Sequence, residues 1–431
     1  MLEISRGEID IMSVVIPFKA LRPHRQFVKA VASCPYDVVN VEEARNIVRN
    51  NPLSFLHVEK SEIDLLPLLD VHNDHVYEIA KSNMENLIQK DIVFREKTPC
   101  FYIYRQKMDA HEQYGIVARV SLAEYESGRI KKHELTRMDK EIDRIKHVAA
   151  VDAHTGLVFL TYKARRPIDA IIEKKIMDQP EYDFTADDGI THTVWIISDE
   201  ENIEALMKAF EEIDTLYIAD GHHRAAAAAA VGKMKKDRNP DETGDEAYHY
   251  MMAALFPHNQ LKIMDYNRVV RDLNGLDIPG FIRKVREKFM VYDDFKKKSP
   301  RQCHEFGMYL HGSWFKLTAK DGTFNGHDPV EVLDVSILQN NLLGSVLGIQ
   351  DPRADDRVEF VGGIRGMKEL ERLVDSGDFV VAFSLYPTTL TQLMAVADVG
   401  MVMPPKSTWF EPKLQSGIFT HPLTNDEGIK I

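Results

Sequence analysis

The residues best suited to chemistry stand together at Asp220-Gly221-His222-His223-Arg224. A short apolar run, Leu216-Tyr217-Ile218-Ala219, leads into them, and six alanines, Ala225 to Ala230, follow. Alanine is the strongest helix former, so the segment reads as strand, tight polar turn and helix. Such a junction aims backbone N–H groups and the positive end of a helix dipole at whatever lies over the turn. Gly221 can take an unusual φ and let a ligand approach the backbone. Arg224 offers a planar fork of donors suited to phosphate oxygens. His222 and His223 are adjacent, so their side chains diverge toward different partners. Asp220, at the strand end, suits either of two tasks, holding a magnesium ion or fixing a histidine tautomer. A phosphate, with or without a metal, uses all of these groups at once. Adjacent histidines lack the i, i+4 spacing that sets two zinc ligands on one helical face, so zinc is the weaker reading.

The elements that must position this loop alternate along the chain. Before it, Ser13 to Phe18 reads as a short strand and Val41 to Asn50 as a helix stopped by Asn51-Pro52. Asp74 to Asp91 has the apolar spacing of an amphipathic helix. Phe101 to Tyr104 and Tyr114 to Val120 are aromatic and β-branched runs expected to pair as strands. Ser121 with Glu124 has capping-box spacing for a short helix ending near Gly128. Leu157 to Tyr162 and His192 to Ile197 read as strands, and Glu200 to Ile213 as a helix. After the loop, Asp237 to Glu246 is polar and reads as a mobile inter-domain loop or lid. Val358 to Val361 and Phe379 to Leu385 read as strands, Met367 to Val374 and Thr391 to Ala397 as helices. The alternation predicts an α/β (α+β) fold. The expected organisation is an N-terminal α/β region (1–120), a phosphate-binding core (121–270) and a C-terminal α/β region (271–431) with a proline-rich tail.

Composition narrows the function classes. A hydrophobic share of 44% is too high for a disordered chain. The 54 basic residues against 67 acidic ones leave a net charge of −13, a field that repels nucleic acid. Cys34, Cys100 and Cys303 are scattered singly, without the spacing of a disulfide framework or a cysteine zinc site. There is no apolar stretch of membrane-spanning length, and Met1 to Glu8 is polar and acidic. The expectation is a cytoplasmic protein acting on small molecules, its oligomeric state open.

Ala219-Asp220-Gly221-His222-His223-Arg224 with its alanine helix resembles the signature of the ParB/sulfiredoxin superfamily, most closely its free-serine kinases. The likeness spans roughly residues 120–233 and implies a ParB/sulfiredoxin-like core that binds nucleotide phosphates at the loop. It also implies that a glutamate beside a histidine activates the serine hydroxyl; the matching position is His133-Glu134. Read from its surroundings alone, Glu134 is one carboxylate in a charged stretch, equally suited to facing solvent. Over nearly its full length the chain further resembles an uncharacterised prokaryotic domain-of-unknown-function family. The features that carry this are Pro35-Tyr36-Asp37-Val38, Asn51-Pro52-Leu53-Ser54-Phe55, Lys132 to Thr136, the histidine loop and the tail Met403 to Lys413.

That tail reads as irregular. Lys406, Ser407, Thr408 and Lys413 are phosphate-compatible donors, and Trp409 could stack on a base or pack into a core. The expected activity is phosphate transfer from ATP or ADP to a hydroxyl, with free L-serine favoured. Gly221, His222, His223, Arg224, Lys406 and Lys413 would hold the nucleotide, and Asp220 a magnesium ion. Glu134 and His223 would be catalytic. A nucleotide-binding regulator of the partition-protein type and a metal-assisted phosphodiesterase or nuclease are the alternatives.

Overall fold

The computed structural model describes residues 14–65 and 74–424; the acidic opening Met1 to Glu8 lies outside the described residues. The fold is mixed α/β, in two units. The first takes in the chain to Leu261 and resumes at Pro412; the second runs Lys262–Glu411. The expected boundary at residue 120 runs through a strand of the first unit, the one at 270 falls within the second, and the chain's end belongs to the first.

The first unit is built on a nine-stranded mixed sheet. Its strands are β1 (Val15–Ile16), β2 (Phe101–Met108), β3 (His111–Ser121), β4 (Ile130–Lys131), β5 (Val158–Tyr162), β6 (Tyr182–Thr185), β7 (Thr191–Ile197), β8 (Leu216–Asp220) and β9 (Tyr250–Pro257). Their order is β4-β8-β5-β9-β3-β2-β7-β6, with β1 on β3. The two aromatic runs pair as expected, Tyr102 opposite Val117 and Tyr104 opposite Gly115. At the end of β8 the register with β5 shifts between Ile218 and Asp220, so that Asp220 lies opposite Phe159. Such a bulge bends the strand and re-aims the side chain beyond it, here Asp220.

Helices cover this sheet: α1 (Val41–Val48), α2 (Asp74–Gln89), α3 (Leu122–Glu126), α4 (Met138–Val151), α5 (Glu200–Glu211) and α6 (His222–Lys236). Leu160, Ile218, Leu206, Phe210, Ala225 and Ala228 share one buried cluster. Fully burying a side chain such as Phe210 stabilises the unit by about 1.5–3 kcal/mol. The alanine run does more than favour helix. Ala225, Ala227 and Ala228 are buried, and a Cβ at Gly232 would sit 2.6 Å from the Tyr248 carbonyl oxygen. Only small side chains let α6 lie so close.

Three local expectations are corrected. Ser121 precedes α3 but makes no side-chain cap; Glu124 is buried and accepts the Val14 amide at 2.6 Å instead of reaching back to Ser121. Residues 237–246 stay inside the first unit, folded around Glu246, whose carboxylate accepts the amides of Thr243 and Gly244 at 2.7 and 2.9 Å. Within the tail, Trp409–Glu411 is a strand paired with Lys262–Met264.

The second unit carries a six-stranded antiparallel sheet. Trp409 packs there, edge-on to Tyr266 with ring centres 5.0 Å apart, its indole N–H donating to Glu411 at 2.7 Å. Among the described residues no helix is long and apolar enough to cross a membrane.

Candidate functional site

Gly221 caps α6 at φ 90° and ψ 30°, a left-handed conformation that costs glycine little, so the turn from β8 into the helix needs a glycine here. The turn fixes the Asp220 side chain between two donors. One carboxylate oxygen accepts the Gly221 amide at 2.8 Å and the other the Lys413 ammonium at 2.8 Å. Burial pushes the Asp220 carboxyl up, but the Lys413 charge outweighs it and holds the group well below the usual carboxylate range. A lysine thus stands where a magnesium ion would bind. The site as folded does not fit that ion on Asp220, and the aspartate's visible task is to anchor Lys413 over the loop.

Arg224 reaches back under the turn. Its Nη1 donates to the Leu157 carbonyl at 3.0 Å, while the buried Nη2 makes no hydrogen bond and stands 3.9 Å from Asp37. Gly156 makes room for it, since a Cβ there would lie 2.9 Å from Arg224 Nε. Pro35, Asp37, Asp220, Gly221, Arg224 and Lys413 line a shallow cleft over the turn. Arg224 also borders a second, small cavity with Tyr36, Glu59, Arg144 and His147. Arg144 lies over the Tyr36 ring at 4.0 Å and donates to Asp143 at 2.7 Å. Burial raises the Glu59 carboxyl, and Arg224, His147 and Arg144 more than reverse that, leaving it ionised below its ordinary range.

The two histidines diverge. His222 turns inward: it is 5% exposed, its ring meets that of His133 edge-on at 4.5 Å, and its Nε2 accepts the His133 amide at 3.5 Å. His223 is half-buried and its Nε2 accepts the Arg137 amide at 3.0 Å. Burial pushes both rings down and outweighs the opposing pull of nearby carboxylates, Asp220 on His222 and Asp37 and Glu141 on His223, so both are neutral near pH 7. An Nε2 that accepts leaves the proton of a neutral ring on Nδ1, where it can be offered to a phosphate.

Glu134 joins them. It follows β4, the strand paired in parallel with β8, so the sheet carries His133-Glu134 to the histidine loop despite their distance in sequence. The ligating atoms of His133, Glu134 and His222 lie within 4.8 Å of one another. Seven of the eight residues expected at the site therefore fall together in the first unit: Glu134, Asp220, Gly221, His222, His223, Arg224 and Lys413. Lys406 does not; it belongs to the second unit, its ammonium 5.7 Å from the Tyr266 ring centre. Sequence reasoning assigned no role to Tyr36, Asp37, Glu59 or Arg144. Tyr36 and Asp37 stood in a noted motif, whereas Glu59 and Arg144 gave no local signal.

Solved structures that are similar to this chain include free serine kinase in complex with AMP, at 12% identity and a TM-score of 0.36 over 73% of this chain and 92% of that one. Others are SbnI with a C-terminal truncation from Staphylococcus aureus (11%, 0.37, 70% and 85%) and a conserved hypothetical protein from Pyrococcus furiosus (14%, 0.34, 71% and 94%). No curated protein matches the chain. The family described as Protein of unknown function (DUF1015) matches residues 15–336, most of the sequence, and the chain belongs to that family.

Proposed function

We propose that the protein transfers a phosphoryl group from ATP or ADP to the hydroxyl of a small molecule, with free L-serine the favoured acceptor. The observation that carries the reading is the meeting of the Glu134 carboxylate with the start of α6. A proton acceptor thereby sits beside a helix N-terminus furnished with neutral histidines, Arg224 and Lys413, a set suited to a nucleotide's phosphates. The likeness of the loop to that of the free-serine kinases supports serine as acceptor.

In the proposed step the acceptor oxygen forms a bond to the terminal phosphorus and the bond to the bridging oxygen breaks. The hydroxyl proton passes to Glu134, and the nucleotide leaves one phosphate shorter. His222, His223 and Arg224 hold the phosphoryl oxygens while charge moves onto the leaving group. No step is assigned to magnesium on Asp220, whose oxygens are engaged by Gly221 and Lys413. The test is to incubate the purified protein with ATP or ADP, magnesium and a panel of hydroxy amino acids. A phosphorylated product is expected, with kcat reduced about 10²–10⁴-fold in Glu134→Gln and KM nearly unchanged. No product with any donor, or full activity in Glu134→Gln, refutes the reading.

A further inference from the structure

His133 is 1% exposed; the Ile218 backbone lies within reach of its ring, but neither ring nitrogen makes a well-aligned hydrogen bond, an uncommon state for a buried polar side chain. It faces His222, whose Nε2 accepts the His133 amide at a long 3.5 Å, and the half-buried Glu134 completes the group. We infer that His133, Glu134 and His222 form a binding site for a divalent transition-metal ion of the zinc or iron(II) class.

The donor set selects the ion. Two imidazoles and one carboxylate suit zinc or iron(II), whereas magnesium and calcium prefer oxygen ligands throughout. Around a tetrahedral zinc with bonds of about 2.1 Å, ligand atoms stand about 3.4 Å apart. These three lie within 4.8 Å of one another, so side-chain rotations moving each atom by about an ångström close the shell. Three protein ligands leave a fourth position for water. The other group with metal-like spacing, Glu242, Glu246 and His249, is satisfied internally: His249 pairs with both carboxylates at 2.9 and 3.1 Å, and Glu246 also accepts backbone amides.

The site rests on these three side chains, not on phosphotransfer. If Glu134 is also the base, a bound ion takes the lone pair the hydroxyl proton would need, and zinc inhibits. The experiment titrates Zn²⁺ into full-length, chelator-stripped protein by calorimetry, then records the visible spectrum with Co²⁺ in its place. One ion per chain is expected, with affinity at least about a hundredfold lower in His133→Ala, His222→Ala and Glu134→Gln and unchanged in His249→Ala. Circular dichroism monitors folding. Should His133→Ala misfold, Glu134→Gln, altered at a half-buried position, decides. Absence of saturable binding, parental affinity in Glu134→Gln, or loss in His249→Ala alone would each overturn the inference, whatever the phosphotransfer assay gives.

Discussion

Gly221→Ala separates the demands of the backbone from those of packing. A Cβ at residue 221 would meet the Val158 Cα at 3.5 Å, the Leu157 oxygen at 3.7 Å and the Arg224 Cδ at 3.8 Å, all ordinary contact distances. Nothing clashes, so the cost lies in holding an alanine at φ 90°. A left-handed residue with a Cβ costs about 1–2 kcal/mol. For a domain of this size each kcal/mol lowers Tm by about 2–4 °C, so a fall of about 2–8 °C is expected. The chain can relieve the strain by swinging φ negative, but the amides of His222, His223 and Arg224 then turn away from the cleft. Gly244→Ala is the matched control: φ is 95°, nothing lies within 4 Å of the added Cβ, and the residue is far along the chain from the loop. Thermal melts should show similar losses for both variants, while calorimetry with ADP should show an affinity drop of tenfold or more (~1.4 kcal/mol) for Gly221→Ala alone. Equal affinity in the two variants would refute the role given to the turn. A parental Tm in Gly221→Ala would refute the strain argument.

Three further perturbations test other parts of the molecule. Lys413→Met removes the partner of Asp220, a pair 22% and 42% exposed, so stability should fall by about 1 kcal/mol or less. Affinity for ADP should fall more clearly, and an unchanged dissociation constant would take Lys413 out of the site. In the second unit burial pushes the Asp334 carboxyl up to about 7, and its Oδ2 has no hydrogen-bond partner. A folded pKa above the unfolded value of about 3.9 means the folded state holds the proton more tightly, so stability declines as pH rises from about 4 to 7, by up to about 4 kcal/mol. Asp334→Asn should therefore be more stable than the parent in urea at pH 8 and equal to it near pH 4; a pH-independent difference would contradict the assignment. Gly115→Ala would set a Cβ 2.6 Å from the Phe256 ring in the middle of the sheet, and the urea midpoint should report a loss of about 1–3 kcal/mol.

What the sequence reveals is what is local. The polar turn ahead of the alanine run announces β8, the cap and α6, because strand, glycine and helix signals each act over a few residues. The alternating runs of β2 and β3 are legible for the same reason. The rest depends on contacts between distant residues. Lys413 and Asp220 are brought together only when Pro412 and Lys413 return to the first unit beside the loop, and the same proline-rich tail leaves Lys406 in the second. Glu124 has capping-box spacing, yet the Val14 amide claims it. Burial of Glu59 beside Arg144 and Arg224 leaves no periodic trace, since each charge is solvated or paired by a partner far away in sequence. Glu134 read as one carboxylate of a charged stretch; the parallel pairing of β4 with β8 is what brings it, with the buried His133, to the loop.

The chain leaves the first unit after Leu261 and comes back at Pro412, where Ser416 bridges Ser33 and His421 pairs with His154. During synthesis, the sheet and the alanine helix are available long before the segment that bears Lys413 has left the ribosome. Until then Asp220 has no ammonium partner and the edges near Ser33 and His154 lack their last rungs. Assembly of the cleft is thereby tied to completion of everything threaded between those two points, so a nascent chain stalled within the second unit carries an unfinished site.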